Sequence, residues 1–180
     1  MARKPRGYSI RPAGVCDVSR LVAQRRALFM EIGRDKESVD RMCKKYRTWV
    51  LAGLKSRLYR AWVAVDGKGE VVAGAGLRII GWPPVPADLT ERRAYVFNVY
   101  TNPPHRRHGI ARMLMRAMLD WCRSNGFITV ALHTTDDGRS LYESLGFEPT
   151  TEMRLHLVTK PPARKSASAR RMKTHRRRPT

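Results

Sequence analysis

From Ile110 the apolar side chains fall at 110, 113, 114, 117, 118 and 121, with Met115, Leu119 and Cys122 widening the stripe. Recurrence at three and four residues predicts a helix covered on more than one side. Ser124-Asn125-Gly126 stops it, because Gly126 can take the left-handed cap. The same interval predicts a helix through "DVSRLVAQRRALFMEIG", carried by Val18, Leu21, Val22, Leu28 and Phe29 and ending at Gly33, and another from Ser38 to about Lys55. In that second helix Val39, Met42, Cys43, Tyr46, Trp49 and Val50 keep the spacing.

Elsewhere the period is two. "YSIRPA" (Tyr8 to Ala13) alternates as a first strand, and "RAWVAVDGKGEVVAGAGLRII" reads as two apolar strands around the turn Asp66-Gly67-Lys68-Gly69. "GWPPVPADLTERR" (Gly81 to Arg93) holds three prolines and reads as a loop. "AYVFNVYT" (Ala94 to Thr101) and "FITVALHTT" are further strands, a short helix "GRSLYESLG" is capped by Asp136 or Asp137, and "TEMRLHLV" is a last strand. The order is strand, two helices, three strands, helix, strand, helix, strand, without internal repeat. That order predicts a mixed α/β layered domain and excludes a doubly wound sheet of alternating units.

Composition sets the frame around these elements. At 180 residues, 42% apolar and 28% charged, the chain suits one soluble domain with tails. No apolar run approaches a membrane span, and the N-terminal stretch lacks the apolar segment of a secretory signal, so a cytoplasmic location and no membrane partner are expected. Cys16, Cys43 and Cys122 are odd in number and far apart. They are read as packing residues, with neither a disulfide framework nor a metal site. The net charge of +21 is uneven: the segment after Thr159 carries nine Lys/Arg and no acid, leaving +12 on the rest. Residues 159–180 therefore read as a disordered basic tail and 1–7 as a basic extension. Such a tail can bind nucleic acid weakly by counterion release, or simply be solvated.

One stretch calls for chemistry. In "TNPPHRRHGIARMLMRAMLDWCRSNG" a strand ends in Pro-Pro, four cationic or imidazole side chains follow, and a glycine opens a helix. A helix N-terminus presents unpaired N–H groups and about half a positive charge, which suits phosphate. Gly109 allows close approach to the main chain, and the flanking arginines add charge. The Lys-Ser/Thr of a nucleotide P-loop is missing, as are the further glycines of a dinucleotide fingerprint.

Arg106-x-x-Gly109-x-Ala111 resembles the signature of the GCN5-related N-acetyltransferase (GNAT) superfamily, Arg/Gln-x-x-Gly-x-Gly/Ala between the fourth strand and third helix. "LYESLGFEP" (Leu141 to Pro149) matches that family's later Leu-Tyr-x-x-x-Gly-Phe run, and the resemblance spans roughly Tyr8 to Val158. It implies the GNAT fold, a twisted, mostly antiparallel sheet splayed between strands four and five, over residues 8–158. It implies acetyl-CoA as co-substrate, with Val99, Tyr100 and Thr101 bonding the pantetheine arm. The main chain of Arg106, Arg107, His108, Gly109, Ile110 and Ala111 would hold the pyrophosphate. Tyr142 takes the position that faces the thioester sulfur. The chemistry fits, since a phenol of pKa near ~10 can donate to a thiolate of pKa near ~8.5 as the C–S bond breaks. A splayed-strand N–H near Val99 would stabilise the oxyanion. Two positions depart from the pattern. Thr135 stands where many members carry an Asn that contacts the cofactor, and Tyr95 where histone acetyltransferases of the superfamily place a glutamate base.

A primary ammonium, pKa near ~10.4, must lose a proton before it attacks. Glu31, Asp35, Glu37 and Asp40 crowd into ten positions of the first two helices, the acceptor wall of the family, and can attract a cationic amine. Glu31 is the candidate base, with Glu91 second; Trp82 lines a substrate mouth or anchors its loop. The function expected is acetyl transfer to a primary amine of a small molecule or protein, by direct attack in a ternary complex. The alternative is a nucleic-acid- or ribosome-associated binding protein with a degenerate acetyltransferase fold and a basic tail. Family members are often dimers, which makes a homodimer an expectation of the resemblance alone.

Overall fold

The computed structural model describes residues 7–155 and 157. The expected basic tail, the N-terminal extension up to residue 6 and part of the expected last strand lie outside them. The chain divides into two compact units between Gly146 and Phe147. The described part of the second contains neither helix nor strand, so the strand expected over 151–158 is not formed at 151–155. Its alternation needs a ladder partner, and the sheet ends at the fifth strand.

The first unit holds β1 (Tyr8–Pro12), α1 (Val18–Glu31), α2 (Lys36–Lys55), β2 (Tyr59–Asp66), β3 (Val71–Gly81), β4 (Arg92–Thr101), α3 (Ile110–Ser124), β5 (Val130–Leu132) and α4 (Asp136–Glu143). The five strands lie side by side in sequence order. Every neighbour is antiparallel except β4 and β5, which are parallel. The β2–β3 hairpin closes where expected: Asp66 Oδ1 accepts from the N–H of Lys68 and of Glu70, both at 2.9 Å.

Period two along β2 sorts its side chains between two layers. Tyr59, Ala61 and Val63 join Val18, Leu21 and Val22 of α1 and Tyr46 and Val50 of α2 in one core. Trp62 points to the other face and meets Trp121 of α3, ring centroids 5.9 Å apart. The α3 stripe is buried as Ile110, Leu114, Met115, Met118, Leu119 and Cys122. Tyr59 crosses over β3 where only a glycine fits: a Cβ on Gly76 would stand 2.1 Å from the Tyr59 hydroxyl.

Three expectations need correcting. Cys16 is exposed, so only Cys122 is a fully buried packing residue, with Cys43 half-buried. The fifth strand is three residues rather than nine, because its partner turns away. Thr135, and neither Asp136 nor Asp137, occupies the N-cap position of the short last helix, and the two aspartates lie in its first turn.

Candidate active site at the open edge of the fourth strand

β4 is paired with β3 along its length, but the register slips: Gly76 faces Phe97 while Gly74 faces Tyr100. The extra residue of β4 bulges at Asn98, whose φ is +64°. A bulge bends its strand and increases the local twist, and β5 does not follow. Pairing with β5 covers only Ala94, Tyr95 and Val96. From Phe97 to Thr101 that edge of β4 has no strand partner among the described residues, which opens the splay the fold requires. The bulge also changes which side chains face α1 and α2. Phe97 stacks on Tyr59, centroids 5.7 Å apart, and the next residue, Asn98, also reaches α1. Tyr100 does the same.

At Thr101 the chain enters the basic turn. Pro103–His105 form one 3-10 turn, Arg107 and Gly109 take left-handed backbone at φ +65° and +74°, and α3 begins. Gly109 is its N-cap and no side chain caps it. The first intrahelical bond runs from Met113 N–H to the Gly109 carbonyl at 3.1 Å. The N–H groups of Ile110, Ala111 and Arg112 precede it and point out of the helix end. Arg107, His108 and Gly109 are exposed around them. Tyr8 ties the turn to β1 through a 3.0 Å hydrogen bond between its hydroxyl and His105 Nδ1.

The Arg106 side chain turns away from this helix end. Its Nε donates to the Thr101 carbonyl at 2.9 Å, and Nη2 donates to both oxygens of Glu31 at 2.8 and 2.7 Å. Tyr100 donates to Glu31 Oε1 at 2.7 Å. Partial burial works to raise the Glu31 pKa, but the bonds from Tyr100 and Arg106 outweigh it and hold the carboxyl below its usual range. The Tyr100 phenol is pushed up to about 12 by burial and by the Glu31 carboxylate. Held by two donors from β4 and the turn after it, the carboxylate has the geometry of a clasp between the end of α1 and the basic turn.

The other acids of the wall are engaged too, against the expectation that they form a trap for cations. Asp35 is the N-cap of α2 and accepts from Ser38 N–H at 2.8 Å and Ser38 Oγ at 2.6 Å. Glu37 pairs with Arg41 one turn on. Asp40 takes Arg26 at 2.8 Å and Lys36 at 3.5 Å. The ion-paired charges of Glu37 and Asp40 contribute little field to an incoming amine, and Asp35 is turned to its own helix end.

β5 ends beside the point where β4 opens, and α4, which carries Tyr142, starts four residues later. Burial raises the Tyr142 phenol above its ordinary value, keeping it protonated at neutral pH. Gly138, one turn earlier, packs tightly: a Cβ there would lie 3.1 Å from the Tyr142 ring and 2.7 Å from Thr134 Oγ1. Thr135 makes no side-chain cap bond to the helix it begins. Tyr95 has a buried hydroxyl with no hydrogen-bond partner among the described residues, and its ring lies 5.5 Å from that of His133. Glu91 is placed elsewhere, in the turn before β4. At about 3.3 Å per residue that is roughly 30 Å from Thr101. Trp82 lies under the Arg93 guanidinium at 4.1 Å, as a loop anchor would. Among the described residues no group of His, Cys, Asp or Glu gathers to hold a metal, and no helix is long and apolar enough to cross a membrane.

Arg25 and Asn98 were not singled out by sequence. Arg25 fell between the apolar positions of its helix, and the bulge that gives Asn98 its role depends on β3.

The profile of the acetyltransferase (GNAT) family matches residues 26–147. A GCN5-related N-acetyltransferase of known structure from Ralstonia eutropha JMP134 is 36% identical, superposes with a TM-score of 0.79, and covers 84% of this chain and 99% of its own. A predicted acetyltransferase from Clostridium acetobutylicum, solved with acetyl-CoA, is 26% identical with a TM-score of 0.77, covering 83% and 96%. Human N-acetyltransferase 8 is 34% identical over 92 residues, 49% of this chain and 38% of that protein. The chain thus spans less than half the length of this curated relative.

Proposed function

Because the chain belongs to the acetyltransferase (GNAT) family, we propose that it transfers the acetyl group of acetyl-CoA to a primary amine, by direct attack with both substrates bound. One observation carries the reading: a single strand, β4, delivers an unpaired edge and then a helix N-terminus stripped of side-chain caps. Bound there, acetyl-CoA supplies an acyl group activated on sulfur. The edge at Val99, Tyr100 and Thr101 offers main-chain groups to an extended arm. The N–H groups at Ile110 and Ala111, with the exposed Arg107 and His108, suit a diphosphate. Gly109 keeps the approach open. Edge N–H groups near Val99 can donate to a carbonyl oxygen laid beside them. Tyr142 holds a proton that a departing thiolate can take.

Glu31 serves this reading as the clasp of Arg106 and not as the base, and the amine loses its proton to water or to a group beyond the clasp. The test is thiol release by the full-length protein with acetyl-CoA and a panel of amines, beside Tyr142→Phe. Release with one amine class, lowered by loss of the phenol, supports the assignment. An acetyl-CoA complex that forms without turnover on any amine counts against it.

A further inference from the structure

Arg25 sits half-buried on α1 with its guanidinium over two rings, 4.9 Å from the Phe29 centroid and 4.4 Å from that of Tyr46. Nη1 donates to Asn98 Oδ1 at 3.1 Å and Nε points at Met42 Sδ at 3.3 Å. No described carboxylate pairs with it, although the neighbouring Arg26 takes Asp40 and Arg106 takes Glu31. Nη2 makes no hydrogen bond to a described residue, yet it is not among the sealed polar atoms of the protein. It therefore keeps some exposure to solvent. Asn98 repeats the pattern: it is 5% exposed, and its Nδ2 donor is buried without an acceptor. A guanidinium fixed by Asn98 and by two rings, with one donor unspent on the protein, suits an anionic ligand. Arg25 and Asn98 meet at the bulge where the open edge of β4 begins.

Resting on the acetyl-transfer reading, we propose that Arg25, held in place by Asn98, binds the carboxylate of the acceptor, so that the acceptor is an amine bearing a carboxylate a few bonds away: an α-amino acid. The planar fork of Arg25 matches a carboxylate, and the rings of Phe29 and Tyr46 hold it ready. The same arrangement disfavours polyamines and lysine side chains, which bring a second cation or no anion to a wall where Glu31, Glu37 and Asp40 are already paired. A peptide N-terminus is disfavoured because its neighbouring carbonyl is a neutral amide.

The experiment compares L-leucine and L-phenylalanine with their primary amides as acceptors, using the full-length protein and acetyl-CoA. The acids should exceed the amides in kcat/KM by about tenfold or more, as a site built around a buried charge partner discriminates. In Arg25→Gln that ratio should fall toward one, and Arg25→Lys should keep part of it. Equal rates for acid and amide in the wild type overturn the proposal while leaving acetyl transfer standing. So does an unchanged ratio in Arg25→Gln, or an equal loss on both acceptors, which would make Arg25 a brace for the bulge. If no acceptor turns over, thermal stabilisation by N-acetyl-leucine against its amide in the presence of CoA decides. A shift specific to the carboxylate and lost in Arg25→Gln upholds the anion site and sinks the transfer reading; its absence overturns the site. Circular dichroism of both variants guards against misfolding.

Discussion

Arg106 Nη2 bridges both oxygens of Glu31, and the same guanidinium reaches the Thr101 carbonyl through Nε. Seventy-five positions of sequence separate the two residues, so the contact fastens the end of α1 to the turn that follows β4. Acetyl-CoA binding at that turn and the posture of the acceptor wall should therefore be coupled. Glu31→Gln should weaken acetyl-CoA and acceptor together, each by roughly three- to tenfold for a charge pair at this exposure, without moving the pH profile of kcat. Calorimetry and steady-state kinetics check this; loss of the acidic limb of the profile would restore Glu31 as a base.

The clasp also has a pH signature. The folded Glu31 pKa is lowered, so its stabilising contribution is complete above the ordinary carboxylate value and is lost as pH falls through the lower folded one. Acetyl-CoA affinity in the wild type should decline on that acid side more steeply than in Glu31→Gln. Titrations at stepped pH read the difference.

Tyr142→Phe should lower kcat by about ten- to a hundredfold, the usual worth of a positioned acid, and leave the acetyl-CoA dissociation constant nearly unchanged. Burial raises the wild-type phenol, so its proton is retained through the neutral range and no loss of activity below its ordinary pKa of ~10 should trace to Tyr142. A variant of full activity would remove the phenol from the reaction.

Asn98 holds a left-handed backbone that asparagine tolerates better than most residues and glycine better still. Asn98→Gly should keep the bulge, while Asn98→Val should cost about 1–3 kcal/mol in strain and weaken acetyl-CoA binding as the edge tries to close. Urea denaturation and ligand titration of the two variants separate the backbone requirement from the side chain's own. Gly76→Ala should destabilise by about 1–3 kcal/mol, because its methyl displaces the buried Tyr59 hydroxyl.

Much of the frame was written in local pattern. The α1, α2 and α3 stripes, the Asp66 turn and the glycine before α3 depend on residues close in sequence, and each formed near its expected place. The length of β5 was not legible, because it is set by where β4 bends, and that bend arises from a slip against β3 at Gly74 and Gly76. The partners of Glu31 were hidden for the same reason: its acidity was visible, but Arg106 and Tyr100 arrive from distant parts of the chain. The turn at Arg106 to Ala111 was legible because a helix N-terminus needs nothing beyond its own residues to present N–H groups.

In the proposed mode of binding, acetyl-CoA lies along the open edge of β4 with its diphosphate on the N-terminus of α3. Calorimetric titration of the full-length protein with acetyl-CoA, wild type beside Gly109→Ala, tests it most directly. At φ +74° a side chain on residue 109 is strained and crowds the approach to the helix end. The account predicts one site per chain in the wild type and an affinity at least about tenfold weaker in the folded variant. Equal affinity in the two proteins, or no binding by the wild type, would contradict it.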